Sequence, residues 1–335
     1  MSAARQRFVA ADVGGTNARI ALVQSGDDGR PAVLAYRRYP CGDYPGLGAI
    51  LADFVAGHAA GFGRADFERM AIASAGVVLD GEVINSNLPW RIVLGDLRRE
   101  LALRELHVIN DFAAAAYGSQ QLAPADSRLL TPGVVQAAPG PALVIGPGTG
   151  LGAAVCLPQP RGLVVLPSEA GMAAFAPGTA REIEVLRWLQ RRGRHVATEQ
   201  LLSGPGLRNL YEALCALDGT PPQLHAPAAI SDAARRGDAL AREAVLGFCA
   251  LLGSVIGDLA MVSSAQVVHV AGGIVPQLAD FLPQSDFRSR LVDKGAMRAV
   301  LERVPVWLIE NERLGVIGAA SWYLQHLRER GGATP

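Results

Sequence analysis

Lysine is nearly missing from this chain of 335 residues: of 31 basic residues only Lys294 is a lysine, so basic chemistry falls to arginine. Charged residues make up 19% of the chain, and the 31 basic ones balance 31 acidic ones. A net charge of zero offers no broad basic field, which argues against nucleic acid or an anionic membrane surface as a partner. Cysteine is confined to Cys41, Cys156, Cys215 and Cys249, far apart, with no CxxC pair and no histidine at ligand spacing. Neither a zinc site nor a disulfide framework is expected, only buried, reduced thiols. Export signals are lacking too, since the opening MSAARQRFVAADVGG meets Asp12 before a signal-peptide core can form. The uncharged stretch from Leu129 to Pro160 is broken repeatedly by proline and glycine, which prevents a membrane helix of about 20 residues. A cytoplasmic location without a membrane crossing is expected.

What the chain has instead is apolar mass. Hydrophobic residues are 50% of the whole, enough for two packed cores at about 100–200 residues per domain. Phe8 to Val13 and Arg19 to Val23 read as strand, tight turn and strand, and Val33 to Tyr39 as a third strand. Leu47, Ile50, Leu51, Phe54 and Val55 follow at helical spacing. Met70 to Ala75 and Leu106 to Ile109 suit buried strands, with a helix between them that includes Leu97 and Leu101. Four prolines between Leu122 and Pro141 predict a loop. A second α/β pattern then opens with Ala142 to Gly146 and Leu151 to Cys156, which faintly repeats the start of the chain. Beyond it the periodicity predicts helices over Ile183 to Leu189, Leu207 to Leu217 and Ala239 to Ile256. A strand over Gln266 to Ala271, one over Val304 to Ile309 and a closing helix over Gly318 to Leu327 complete the pattern.

Two glycine-rich turns open these halves. Asp12 precedes Gly14, Gly15, Thr16 and Asn17; further on, Gly146, Gly148, Thr149, Gly150 and Gly152 fill five of seven positions. Phosphate binding needs backbone N–H donors brought close with no Cβ in the way, and such turns supply them. Neither turn fits the P-loop pattern, which needs a lysine, and GPGTGLG is followed by a strand where a dinucleotide fingerprint needs a helix. With a third glycine pair after Ala271, the turns point to nucleotide binding. Asn110–Asp111, directly after the apolar LHVI, fits two roles. It suits an ordinary helix N-cap before FAAAAYG, and it lies at a strand's carboxyl end, where open α/β sheets bind ligands.

The segments DVGGTNARIAL, VINDFAAAAYG, GPGTGLGAAV, LPSEAGMAAFAP, TEQLLSGPGLRNLY, VAGGIVP and FRSRLVDKG, in this order along almost the whole chain, resemble the bacterial glucokinases of the hexokinase–actin-like ATPase superfamily. The resemblance implies an α/β, two-domain actin-like ATPase (ribonuclease H-like) fold with an interdomain cleft for ATP and a hexose. It implies a small domain of residues 1–111 plus about 315–335 and a large one of 112–314. Carried over by motif, Asp12 would sit near Mg2+ through water. Gly14, Gly15, Thr16, Asn17 and the Gly148–Thr149–Gly150 turn would surround the phosphates, and Gly272 and Gly273 would lie against the adenosine. Asp111 resembles the general base for the 6-hydroxyl of the sugar. Asn87, Asn110, Asp111, Glu169 and Glu199 resemble the groups that bind the hexose, with glucose the implied acceptor. A homodimer is implied as well. The related repressors would carry a helix-turn-helix ahead of the first turn, where only eleven residues stand before Asp12, so DNA binding is not expected.

The chemistry agrees with that allocation, because phosphoryl transfer asks a protein mainly for positioning, charge stabilisation and one base. One departure stands out. Where the family usually reads GEGGH, this chain reads Ser168, Glu169, Ala170, Gly171, Met172. A thioether makes no ordinary hydrogen bond, so one polar sugar contact is lost. Two readings stay open: a tolerated substitution with water filling the gap, or a sugar-binding paralogue with altered hexose specificity or little turnover.

Overall fold

Three strands end at one level because their parallel register is set residue by residue. The computed structural model describes residues 6–58, 60–84, 88–134, 136, 138–160 and 162–332. In the first of two compact units, the strand Arg7–Val13 pairs in parallel with Arg69–Ser74, and that strand with Glu105–Asn110. The strand Asn17–Ser25 returns antiparallel beside Arg7–Val13, and Pro31–Pro40 closes the edge of this five-stranded sheet. Each sheet face takes its own apolar layer. Alternate residues Val9, Ala11, Ile20, Leu22 and Ile72 meet Ile50, Leu51 and Phe54 of the helix Leu47–His58. Phe8, Ala10, Ala71 and Ala73 meet the helices Asp111–Ser119 and Leu314–Gly332. This two-sided burial follows from the strands' near-continuous apolar runs.

The helices Asp111–Ser119 and Leu314–Gly332 pack closely because their contact faces are glycine and alanine: a Cβ on Gly318 would collide with Ala114 O and one on Gly118 with Leu314 O, and Ala113, Ala114, Ala319 and Ala320 beside them are all at most 5% exposed. The first unit runs on past position 111 to Asp126, takes in Gln159–Val165 and resumes at Asn311. A boundary at 111 would cut away a helix whose buried face belongs to this unit's core.

The second unit holds most of a six-stranded sheet of order Gly162–Ser168, Leu151–Gln159, Ala142–Pro147, Val267–Val270, Val306–Ile309, Ser127–Thr131. Its core is helical cover from Ala180–Gln190, Gly204–Leu217, Pro227–Arg235 and Ala239–Ser263. By length and composition alone the last of these could cross a membrane. It is instead a core helix, capped by Asp238 and packed through Ala241, Val245, Phe248, Leu252 and Ile256, all at most 1% exposed.

Several elements differ from the sequence-based expectation. Ser127–Thr131 is a strand where prolines predict only a loop, because it pairs antiparallel with Val306–Ile309. Val77–Leu79, Glu82–Ile84 and Ile92–Val93 form a small separate sheet with too few residues to show a period. Gly162–Ser168 and Pro227–Arg235 were not expected either. All four cysteines are buried and free, as expected, and burial pushes the Cys156 and Cys249 thiols up to about 11 and about 12.

His269 lies in the second sheet with its Nδ1 buried and without a partner among the described residues, and burial drives its pKa down to about 4. As pH falls below about 6.5, the unfolded chain gains a proton that the folded one refuses, so stability declines until about 4. Burial and the neighbouring His326 shift His107 in the same direction. Thermal unfolding followed from pH 7 to 4 should show a midpoint dropping by several degrees, and His269→Asn should flatten part of that slope.

Candidate active site

Asp12 sits one residue from the end of the strand Arg7–Val13, directly opposite Arg19 on the returning strand. The Arg19 Nη1 donates to Asp12 Oδ2 at 3.3 Å. Burial raises the pKa of Asp12, and the Arg19 charge and hydrogen bond oppose that rise. The Arg19 Nε is buried without a partner among the described residues. After Val13 the chain reverses, and Gly14 N–H donates to Asn17 O at 3.1 Å. Thr16 is exposed at the tip, and the side chain of Asn17 accepts from Arg38 Nε at 2.9 Å.

Two strands across the sheet, Asn110 ends Glu105–Asn110 in register with Ser74. Its Oδ1 accepts the Phe112 and Ala113 N–H groups, both at 3.0 Å, so it caps the helix Asp111–Ser119. Its Nδ2 donors are left for another partner. Asp111 is the first helical residue, and its Oδ1 accepts Phe112 N–H at 2.9 Å, which fixes the carboxylate's direction. N-cap and ligand-edge position therefore coexist. Asp12, the Gly14–Asn17 turn, Asn110 and Asp111 all lie at the carboxyl edge of three parallel strands.

In the second unit the Gly148–Thr149–Gly150 turn closes through Gly148 N–H to Gly150 O at 2.7 Å, and Gly204 N–H donates to Gly148 O at 2.8 Å. Glu199 is held here: its Oε2 accepts Leu151 N–H at 2.7 Å, and a Cβ on Gly171 would stand 3.3 Å from the same oxygen. The turn Ala170–Met172 is therefore pressed against Glu199, with Glu169 exposed at its head. Met172 is 47% exposed. It bonds only through its backbone, by N–H to Glu169 O and by its carbonyl to His195 Nε2, both at 2.9 Å. The third glycine pair backs onto the strand end that leads into the Gly148–Thr149–Gly150 turn. Gly272 has φ +89°, and a Cβ there would stand 2.6 Å from Pro147 O; Gly273 faces open space.

A model of the glucokinase family matches residues 9–326. The chain belongs to the glucokinase family. A glucokinase-like protein of Xylella fastidiosa (strain 9a5c) is 45% identical over 322 residues, covering 95% of this chain and 94% of that one. The crystal structure of a glucokinase from an Antarctic psychrotroph is 30% identical with a TM-score of 0.82, covering 95% of this chain and 98% of that one. A ROK family glucokinase from Streptomyces griseus, solved with glucose and AMPPNP, shares the fold at 24% identity and a TM-score of 0.60, covering 94% of this chain and 98% of that one. The expected actin-like ATPase fold is therefore present.

Within this glucokinase-family chain the expected residues form two groups, one in each unit. Asn87 lies outside the described residues. Three residues close to the motifs were missed by sequence reasoning: Arg19, Cys41 and His195. Arg19 was visible in DVGGTNAR, because strand alternation across a two-residue turn sets it opposite Asp12. Cys41 and His195 carry no local signal, since tertiary pairing alone brings them to Gly14 and Met172.

The back-to-back turns make a sharp contrast. Gly272→Ala meets both a left-handed φ and a carbonyl oxygen, and should cost about 1–3 kcal/mol. Gly273→Ala should leave the unfolding midpoint within about a degree of wild type. Equal midpoints for the two variants would contradict this packing.

Proposed function

We propose that this glucokinase-family chain transfers the γ-phosphoryl group of ATP to the 6-hydroxyl of glucose, with Asp111 as the general base. The observation that carries the reading is the shared edge: Asp12, the Gly14–Thr16 turn and Asp111 stand at the carboxyl ends of parallel strands in register. A base and a phosphate-binding turn on one rigid edge are what in-line transfer requires. Asp111 takes the hydroxyl proton as that oxygen forms its bond to the γ-phosphorus and the bond to ADP breaks. Asn110, with Oδ1 committed to the helix, offers Nδ2 donors to a sugar oxygen. Glu199 keeps Oε1 for a sugar hydroxyl while Oε2 holds Leu151 N–H, and Glu169 accepts from another. Glu199 thus serves both the sugar and the second phosphate turn.

Asp12 fits a magnesium ion. It is a single hard carboxylate, and the missing Cβ of Gly315 keeps space at its face, since a Cβ there would stand 2.5 Å from Asp12 Cγ. Among the described residues no group of three or more His, Cys, Asp or Glu side chains could hold a metal ion. The ion therefore has to arrive with the nucleotide, and Asp12 would bind it through water, as magnesium commonly requires. When bound, magnesium neutralises charge on the phosphates. A cytoplasmic homodimer belongs to the same proposal.

Met172 supports a second reading, a sugar-binding relative with altered hexose preference or little turnover. Its exposed thioether stands where a polar sugar contact is expected, and its hydrogen bonds are all backbone ones.

Asp111→Ala should leave ATP and glucose binding largely in place and lower kcat by about 10²–10⁴-fold in an ADP-release assay. A near-normal kcat would refute the role of the base. For the second reading, calorimetric titration with glucose should give micromolar to low-millimolar affinity. Absence of glucose binding, with turnover of another hexose in a panel, would transfer the function to that sugar.

A further inference from the structure

We infer that Cys41 is a positioning residue of the nucleotide site, holding the first phosphate turn by its Gly14 and Thr16 carbonyls so that the turn's amides face outward. The inference rests on the reading that the Gly14–Thr16 turn binds nucleotide phosphate. Cys41 follows the strand Pro31–Pro40, whose register sets Pro40 against Asn17 and so brings Cys41 level with Thr16. Its backbone N–H donates to Thr16 O at 2.9 Å, and its Sγ–H donates to Gly14 O at 3.3 Å. Its own carbonyl accepts the Trp90 indole N–H at 3.2 Å. Two carbonyls of the turn are therefore held by one residue, and that residue is braced by Trp90.

Peptide geometry supplies the functional step. The peptides of the described chain are trans, so C=O and N–H of each unit point in opposite directions. Fixing Gly14 O on the buried sulfur aims Gly15 N–H away from it, toward the open side of the turn. An ordinary tight turn would engage Gly14 O with the Asn17 N–H; here the thiol takes that acceptor. Cys41 is fully buried, and burial raises its pKa, so the thiol keeps the proton it donates. Buried this deeply, it is a structural donor and not a nucleophile. Neither Cys41 nor Trp90 needs to touch a ligand; both act through the turn.

The test is calorimetric binding of AMPPNP to the full chain, with glucose binding and thermal unfolding measured alongside. Cys41→Ala removes the thiol donor and should weaken AMPPNP binding about three- to tenfold with glucose affinity unchanged. Cys41→Ser keeps a donor and should stay within about twofold of wild type. Trp90→Phe keeps an aromatic ring, loses the indole N–H and should weaken AMPPNP binding in the same direction, which covers the case of an unstable Cys41→Ala. Equal affinity in all variants, or equal weakening in the alanine and serine variants, would overturn the positioning role. Wild-type protein that fails to bind AMPPNP would overturn the nucleotide reading itself, and the inference with it.

Discussion

Parallel pairing in register is the constraint on which the first unit depends. Val13 lies level with Ser74, and Ser74 with Asn110, so the three strands stop together and hand their chains to a turn or a helix at one edge. Hydrogen-bonded strands cannot slip by one residue without sending every side chain to the opposite apolar layer, where it does not fit. The apolar layers on both faces therefore also fix where Asp12, Gly14 and Asp111 are placed. Chemistry at this edge inherits the rigidity of the sheet.

Charge at that edge is arranged with little redundancy. Asp12 is partly buried against a single cation, and Arg19 has a second nitrogen left without a partner among the described residues. Such a pair is weak evidence for stability, because desolvation opposes the Coulombic gain. Under the proposed function, its placement beside the Gly14–Thr16 turn gives it a reason other than stability. In the second unit the corresponding economy is steric. Glycine backbones meet carbonyls of the neighbouring turn, and Glu199 is tied to the end of the second glycine turn through one backbone hydrogen bond.

Much of this was legible from residues alone. The two glycine turns, the N-cap at Asn110 and the strands beside them are local features, readable because apolar runs, capping residues and glycine act over a few positions. The small sheet of Val77–Leu79, Glu82–Ile84 and Ile92–Val93 was not legible, since two or three residues carry no period. The strand Ser127–Thr131 was hidden by flanking prolines, and a partner far along the chain stabilises it. The division at position 111 followed the end of a strand, whereas the helix beyond it packs back into the same core.

By itself the sequence determined the family and most of the strands and helices in order, and it offered candidates for binding phosphate or taking a proton, because these depend on neighbours within a few positions. Tertiary structure alone decided that Asp12 faces Gly315, that Glu199 grips the second turn, that Met172 leans on His195, and that Cys41 carries the first turn. Those contacts join residues up to hundreds of positions apart. They exist only where sheet register and core packing bring distant chain together, and no local pattern records them.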